Sequence, residues 1–185
     1  MFLPQKDISP DFKTNKNDSR IAKKLIRLEG TPRAIIEFDK HKSKLSDYGY
    51  WFLLSTSWVS YTGFSDLKMW KRLFSANRPL KDTSVMKPSE LSALNDLPSE
   101  LLVYRAKRIG EEDWIAYTLS PKIAGIMASS RGTGVVHKYK VHKADITALF
   151  LRRGEQEVII TDKNKVTPIG TISVAINETQ ECNNG

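Results

Sequence analysis

The spacing of apolar residues changes period once along the chain, at Leu97-Pro98, and that change restricts the fold more than any other feature. Before it, apolar side chains recur at helical offsets, first as Ile21, Leu25 and Leu28 and later as Leu67, Trp70, Leu73 and Phe74. Asp18-Ser19 and Ser65-Asp66 read as caps for these two helices, and Ser89-Glu90 as the opening of a third. Between Tyr48 and Phe74 aromatic and aliphatic residues are dense enough to form a helical core, with Gly49 and Gly63 read as breaks. After Pro98 the apolar stretches are short and separated by turns: 101–104, 114–117, 135–136, 146–151, 158–160 and 169–176. One helix interrupts them, with Ser120-Pro121 as cap and first turn and Ile123, Ala124, Met127 and Ala128 as its buried stripe. The expected class is α+β. A basic arm and helical half occupy 1–96, a strand-rich core 97–176, and a frayed tail 177–185.

The 185 residues suffice for one domain, or a domain with a helical extension, and 40% hydrophobic with 27% charged residues excludes a disordered chain. A single cysteine, Cys182, rules out an intrachain disulfide or a cysteine zinc cage. No window of eighteen apolar residues and no signal-peptide plan is present, so the expectation is a soluble, cytoplasmic protein without membrane contact. Lys plus Arg number 29 against 21 acids, giving +8. Residues 1–45 hold eleven bases and six acids, so +5 of the excess is front-loaded. Lys13, Lys16, Arg20, Lys23, Lys24 and Arg27 read as a solvated face that would also suit a polyanion. The polar run Asp11–Asp18 reads as a mobile arm or solvated loop.

Chemistry concentrates after residue 100. Glu155-Gln156-Glu157-Val158-Ile159 reads as a strand, and period two would put both carboxylates on one face, with Arg152 and Arg153 beside them to offset their repulsion. Taken alone, such a pair is a solvated surface feature. Arg105 ends the strand Leu101–Arg105, where a guanidinium forks onto a phosphate or, more ordinarily, onto Asp113 or a glutamate. Tyr117-Thr118 ends the next strand just before the Ser120-Pro121 helix.

The order of these features resembles the mono-ADP-ribosyltransferases of the arginine, serine/threonine, glutamate class found among bacterial toxins and phage enzymes. The matching segments are Tyr104-Arg105-Ala106, then Ala116-Tyr117-Thr118-Leu119-Ser120-Pro121, then Glu155-Gln156-Glu157, which begins its last member 39 residues beyond Thr118. The likeness covers residues 97–161, and 48–96 resemble more loosely the helical half that precedes this module in some relatives. Ala106 stands where the family has glycine, and Ala116 where it has a first hydroxyl.

The resemblance implies a split two-sheet β core, NAD as substrate, no metal, and transfer of ADP-ribose to a macromolecular acceptor with release of nicotinamide. Protein arginine is favoured by Glu155, and a nucleic-acid base is the other acceptor; a host protein or nucleic acid, and an antitoxin or inhibitor, would be the partners. Glu157 would stabilise the cationic sugar and grip its 2′-hydroxyl, and Glu155 would take the acceptor's proton. Arg105 would hold a phosphate, Thr118 would orient Glu157 or a ribose hydroxyl, and Tyr117 would wall or stack on the nicotinamide. Two other readings stand beside this one: an NAD glycohydrolase with water as acceptor, and a basic nucleic-acid-binding protein whose carboxylates are inert. His137 and His142 lack companions at ligand spacing, and Gly132-Thr133-Gly134 is too short for a phosphate loop.

Overall fold

A computed structural model describes residues 7–61 and 66–175. It is α+β, and six of its seven α-helices precede the first strand. The chain divides into two compact units, one running to Leu97 and taking back Thr147–Gly154, the other comprising Pro98–Ile146 and resuming at Glu155.

The first unit contains α1 (Lys16–Ile26), α2 (Arg33–His41), α3 (Asp47–Ser60), α4 (Leu67–Phe74), α5 (Lys81–Ser84) and α6 (Pro88–Asp96), with strand β4 (Ala148–Phe150) from the returning segment. Helix α3 is apolar on nearly every side, as a helix must be when others surround it. Trp51 and Leu54 are fully buried, the Tyr50 ring meets Phe38 of α2 at 5.2 Å, and Trp58 packs edge-on against Trp70 and Phe74 of α4. The polar atoms carried inward are satisfied: Tyr50 Oη donates to the Leu73 carbonyl at 2.9 Å, and Trp51 Nε1 to the Pro79 carbonyl at 2.8 Å. Arg78 ties this region together, donating to Asp47, to the Lys42 and Leu45 carbonyls, and lying 4.7 Å above the Tyr50 ring.

One cap and one break differ from the expected ones. Asn15, not Asp18 or Ser19, caps α1, its side chain accepting from the amides of Asn17 and Asp18. Asp18 instead reaches across to the start of α3, accepting from the Ser46 amide at 2.9 Å and from the Ser46 hydroxyl. Gly49 is therefore no break. It lies inside α3 with its N–H bonded to Ser46 Oγ, and a Cβ there would fall within the van der Waals envelope of the Asp18 carboxyl group. Gly49→Ala is expected to destabilise by about 1–2 kcal/mol despite alanine's better helix propensity, because both Asp18 oxygens are pinned. Thermal denaturation checks this, and a rise in Tm would show that Asp18 moves aside at no cost. The cap of α4 is Asp66, which accepts from the Met69 amide; Ser65 and Gly63 lie outside the described residues.

Of the run Asp11–Asp18, residues 12–14 are exposed loop, as one of the two expectations had it, and its two ends are fastened, Asp18 on Ser46 as above and Asp11 together with the preceding residues as follows. Asp7 accepts from the amide and hydroxyl of Ser89 in the first turn of α6, Asp11 accepts from the hydroxyls of Thr83 and Ser84, and Ser9 is buried. Short polar side chains gave the run its loop-like look, yet the same side chains are the natural partners of helix-terminal N–H and hydroxyl groups. The bases of α1 are solvated around a buried Ile21 and Leu25, and Lys24 is paired with Glu37.

In the second unit β1 (Glu100–Arg105), β2 (Ala116–Thr118), β3 (Val135–His142), β5 (Glu157–Ile159) and β6 (Val166–Ser173) pair antiparallel in the order β5-β2-β1-β3-β6. The expected two sheets are thus one series among the described residues. Strands joined edge to edge by ladder hydrogen bonds belong to one sheet, and here the ladder runs unbroken from β5 to β6. Helix α7 (Pro121–Ser130) packs on the sheet through Ala124 and Ala128 against Ala106 and Val136, with Tyr104, Met127 and Val174 at the margin. Small residues on both sides allow that close approach, and Ala106 is one of them.

Candidate functional site

The sheet register brings three of the singled-out residues onto neighbouring strands. Tyr104 of β1 faces Thr118 of β2, and Thr118 faces Glu157 of β5. Arg105 is one residue further along β1 than this row and two strands from Glu157, so their backbones are separated by about 10 Å. Strand alternation gives Thr118 and Glu157 one row of side chains, while Arg105 shares the alternate row with Tyr117 and Val158.

Thr118 is buried and acts through the backbone. Its hydroxyl donates to the Glu155 carbonyl at 2.6 Å and accepts from the Ser120 amide at 3.1 Å, and Leu119 N–H donates to the Gln156 carbonyl. One hydroxyl therefore joins the end of β2, the start of α7 and the approach to β5. Ser120 caps α7 as the Ser-Pro pair implies, accepting from the Ile123 amide.

The shared strand face expected for Glu155 and Glu157 does not form. Strand β5 begins only at Glu157, and Gln156 has φ of +47°, a left-handed conformation that a non-glycine residue adopts at a cost. Alternation requires extended backbone, so a left-handed residue between the two glutamates removes the period-two argument. The Leu119 and Thr118 bonds to the Gln156 and Glu155 carbonyls hold the segment in this shape. The Arg152 guanidinium is bonded to Glu90, with NH2 2.9 Å from Oε2.

Arg105 has a glutamate partner, Glu111, rather than Asp113. Its Nε and NH2 fork onto the two Glu111 oxygens, while NH1 donates to the Ala116 carbonyl at 2.6 Å. Both side chains are largely buried, at 12% and 9% exposure. Glu111 also accepts from the Arg108 amide at 3.2 Å. Arg131, at the end of α7, donates to the Ala106 carbonyl, which places its guanidinium at the end of β1. Burial lowers the Arg131 pKa, and the nearby charges of Arg105 and Arg108 lower it further, against the pull of Glu111 and Glu155. Glu111, Arg108 and Arg131 carried no motif in the sequence. Two of them lie on the turn between β1 and β2 and one on the cap of α7, so only folding makes them neighbours.

Tyr117 is 4% exposed and packs edge-on against Tyr139, with ring centroids 5.5 Å apart; burial pushes its hydroxyl pKa up to about 12. It is part of the packed face of the sheet. His137 lies near Tyr139, and burial followed by the Lys107 charge holds its imidazole below its ordinary pKa. His142 stands 3.6 Å from Glu100, which also binds Lys140. Among the described residues no group of three or more His, Cys, Asp or Glu is arranged to hold a metal ion, and no helix is long and apolar enough to cross a membrane. No protein-family model, curated protein or solved structure matches the chain.

Proposed function

We propose that the chain is a mono-ADP-ribosyltransferase, which cleaves NAD and transfers ADP-ribose to a macromolecular acceptor. The observation that supports this most is the register: Thr118 and Glu157 face each other on the adjacent strands β2 and β5, and Arg105 ends the next strand, β1, one residue beyond that row and on the alternate row. In this reading the hydroxyl and carboxylate serve the nicotinamide ribose, and the guanidinium, on the last residue of β1, meets a phosphate at the strand end.

In this reading the bond between nicotinamide nitrogen and ribose C1′ breaks with its electron pair leaving on nicotinamide. The sugar becomes oxocarbenium-like, and a fixed Glu157 carboxylate stabilises that positive charge and holds the 2′-hydroxyl. The acceptor's nucleophile then bonds to C1′ and gives up its proton to Glu155, which the left-handed Gln156 sets apart from β5. Thr118 positions both glutamates by fixing the backbone between them. Arg105 takes a phosphate. The acceptor is a protein arginine in the leading form of this reading and a nucleic-acid base in the other. A cytoplasmic site of action, in a toxin or phage factor, belongs to the same proposal, together with an antitoxin or inhibitor.

The test is incubation of the purified chain with NAD labelled in its adenylate and a cell lysate, followed by nuclease or protease. Label that survives nuclease and is released by protease marks protein transfer, and the converse marks nucleic acid. Label recovered only as free ADP-ribose would replace the transferase with a glycohydrolase. Intact NAD under all conditions would overturn the reading.

A further inference from the structure

The carboxylate bound to Arg105 stands where an anionic ligand would. We propose that Glu111 is an internal occupant of an anion site built by Arg105, Arg108 and Arg131, and that the site's ligand, a diphosphate, displaces it. That the diphosphate belongs to a dinucleotide rests on the NAD reading above; the competition between carboxylate and anion does not.

Glu111 receives a set of donors suited to a phosphate: Nε and NH2 of Arg105 in a fork, and the main-chain amide of Arg108. The Arg131 guanidinium is anchored to the carbonyl of the residue after Arg105, so a third cation borders the same place. The depressed pKa of Arg131, attributable after burial to Arg105 and Arg108, agrees with three guanidinium groups crowding one locality. Lys107 adds a positive charge beside them, its ammonium 4.5 Å from the Trp114 ring that Arg105 also approaches at 5.5 Å. Glu111 and the more distant charge of Glu155 leave such a cluster with an excess of positive charge that suits a ligand of higher charge. Glu111 is also carried on a turn rather than a strand. The turn is closed by the Glu111 N–H to Arg108 carbonyl bond, has a left-handed Gly110 and a fully exposed Ile109 at its tip, and so the carboxylate can withdraw without breaking the sheet.

The test is calorimetric titration of the full chain with inorganic pyrophosphate at fixed ionic strength. Glu111→Gln is expected to tighten binding by about tenfold, since removing the competing charge leaves the donors in place. Arg131→Gln and Arg108→Gln are each expected to weaken it. Unchanged or weaker binding by Glu111→Gln, or wild-type affinity in Arg131→Gln, would overturn the proposal. Circular dichroism verifies folding, and if Glu111→Gln is unfolded, Glu111→Asp carries the same expectation because its shorter chain retracts the carboxylate from the fork. NAD cleavage is measured separately. A chain that does not cleave NAD yet shows the pyrophosphate pattern defeats the transferase reading alone, and one that cleaves NAD with pyrophosphate affinity indifferent to Glu111 defeats only this one.

Discussion

Glu157→Ala is expected to lower NAD cleavage by at least a thousandfold, on the order of 4 kcal/mol of transition-state stabilisation, with the fold intact. The side chain opens β5 opposite Thr118, and the hydroxyl of Thr118 bonds to the Glu155 carbonyl rather than to the Glu157 carboxylate. The strand pairing itself is made by backbone atoms, and circular dichroism of the variant separates a loss of chemistry from a loss of fold. Glu157→Gln keeps the shape but not the charge, and should lose nearly as much because the developing oxocarbenium ion needs a negative partner. Glu155→Ala should reduce transfer more than hydrolysis, since water needs less help than a protonated acceptor. Nicotinamide release and acceptor labelling, measured side by side, check all three. Activity in Glu157→Ala within tenfold of wild type would remove the residue from the mechanism, and equal loss of both readouts in Glu155→Ala would remove the acceptor role.

The largest effect on stability is expected from Glu90→Ala, about 3–5 kcal/mol and a fall in Tm of roughly ten degrees. Glu90 is 1% exposed, and its two oxygens accept from the Lys87 amide at 2.8 Å, the Leu151 amide at 3.0 Å and the Arg152 guanidinium. Truncation leaves a guanidinium only 14% exposed without its carboxylate, and two amides without an acceptor. The ion pair itself need not be stabilising relative to an apolar pair. Glu90→Leu combined with Arg152→Met should therefore recover much of the loss that Glu90→Ala incurs. Denaturant titration of the single and double variants measures this, and a cost below about 1 kcal/mol for Glu90→Ala would show that Arg152 finds another partner.

Helical offsets in the amino-acid sequence determined the broad plan. Trp70, Leu73 and Phe74 bury one side of α4 with Leu67 half-buried beside them, Ser120-Pro121 opens α7, and strands follow Pro98, because each of these depends on residues close along the chain. The order Arg105, Thr118, Glu157 was visible in the same way. Tertiary structure decided what those residues meet. The +47° φ of Gln156 is held by hydrogen bonds from Thr118 and Leu119, so the shared face that period two assigned to Glu155 and Glu157 is lost. Polar runs such as 11–18 look alike whether solvated or bonded, and only folding shows Asp11 on Ser84 and Asp18 on Ser46. Likewise Arg105 could have met any of several acids, and the turn between β1 and β2 delivers Glu111. Periodicity is a local property that a chain carries with it, whereas the partner of a charge is set by which distant segments the backbone brings within a few ångströms.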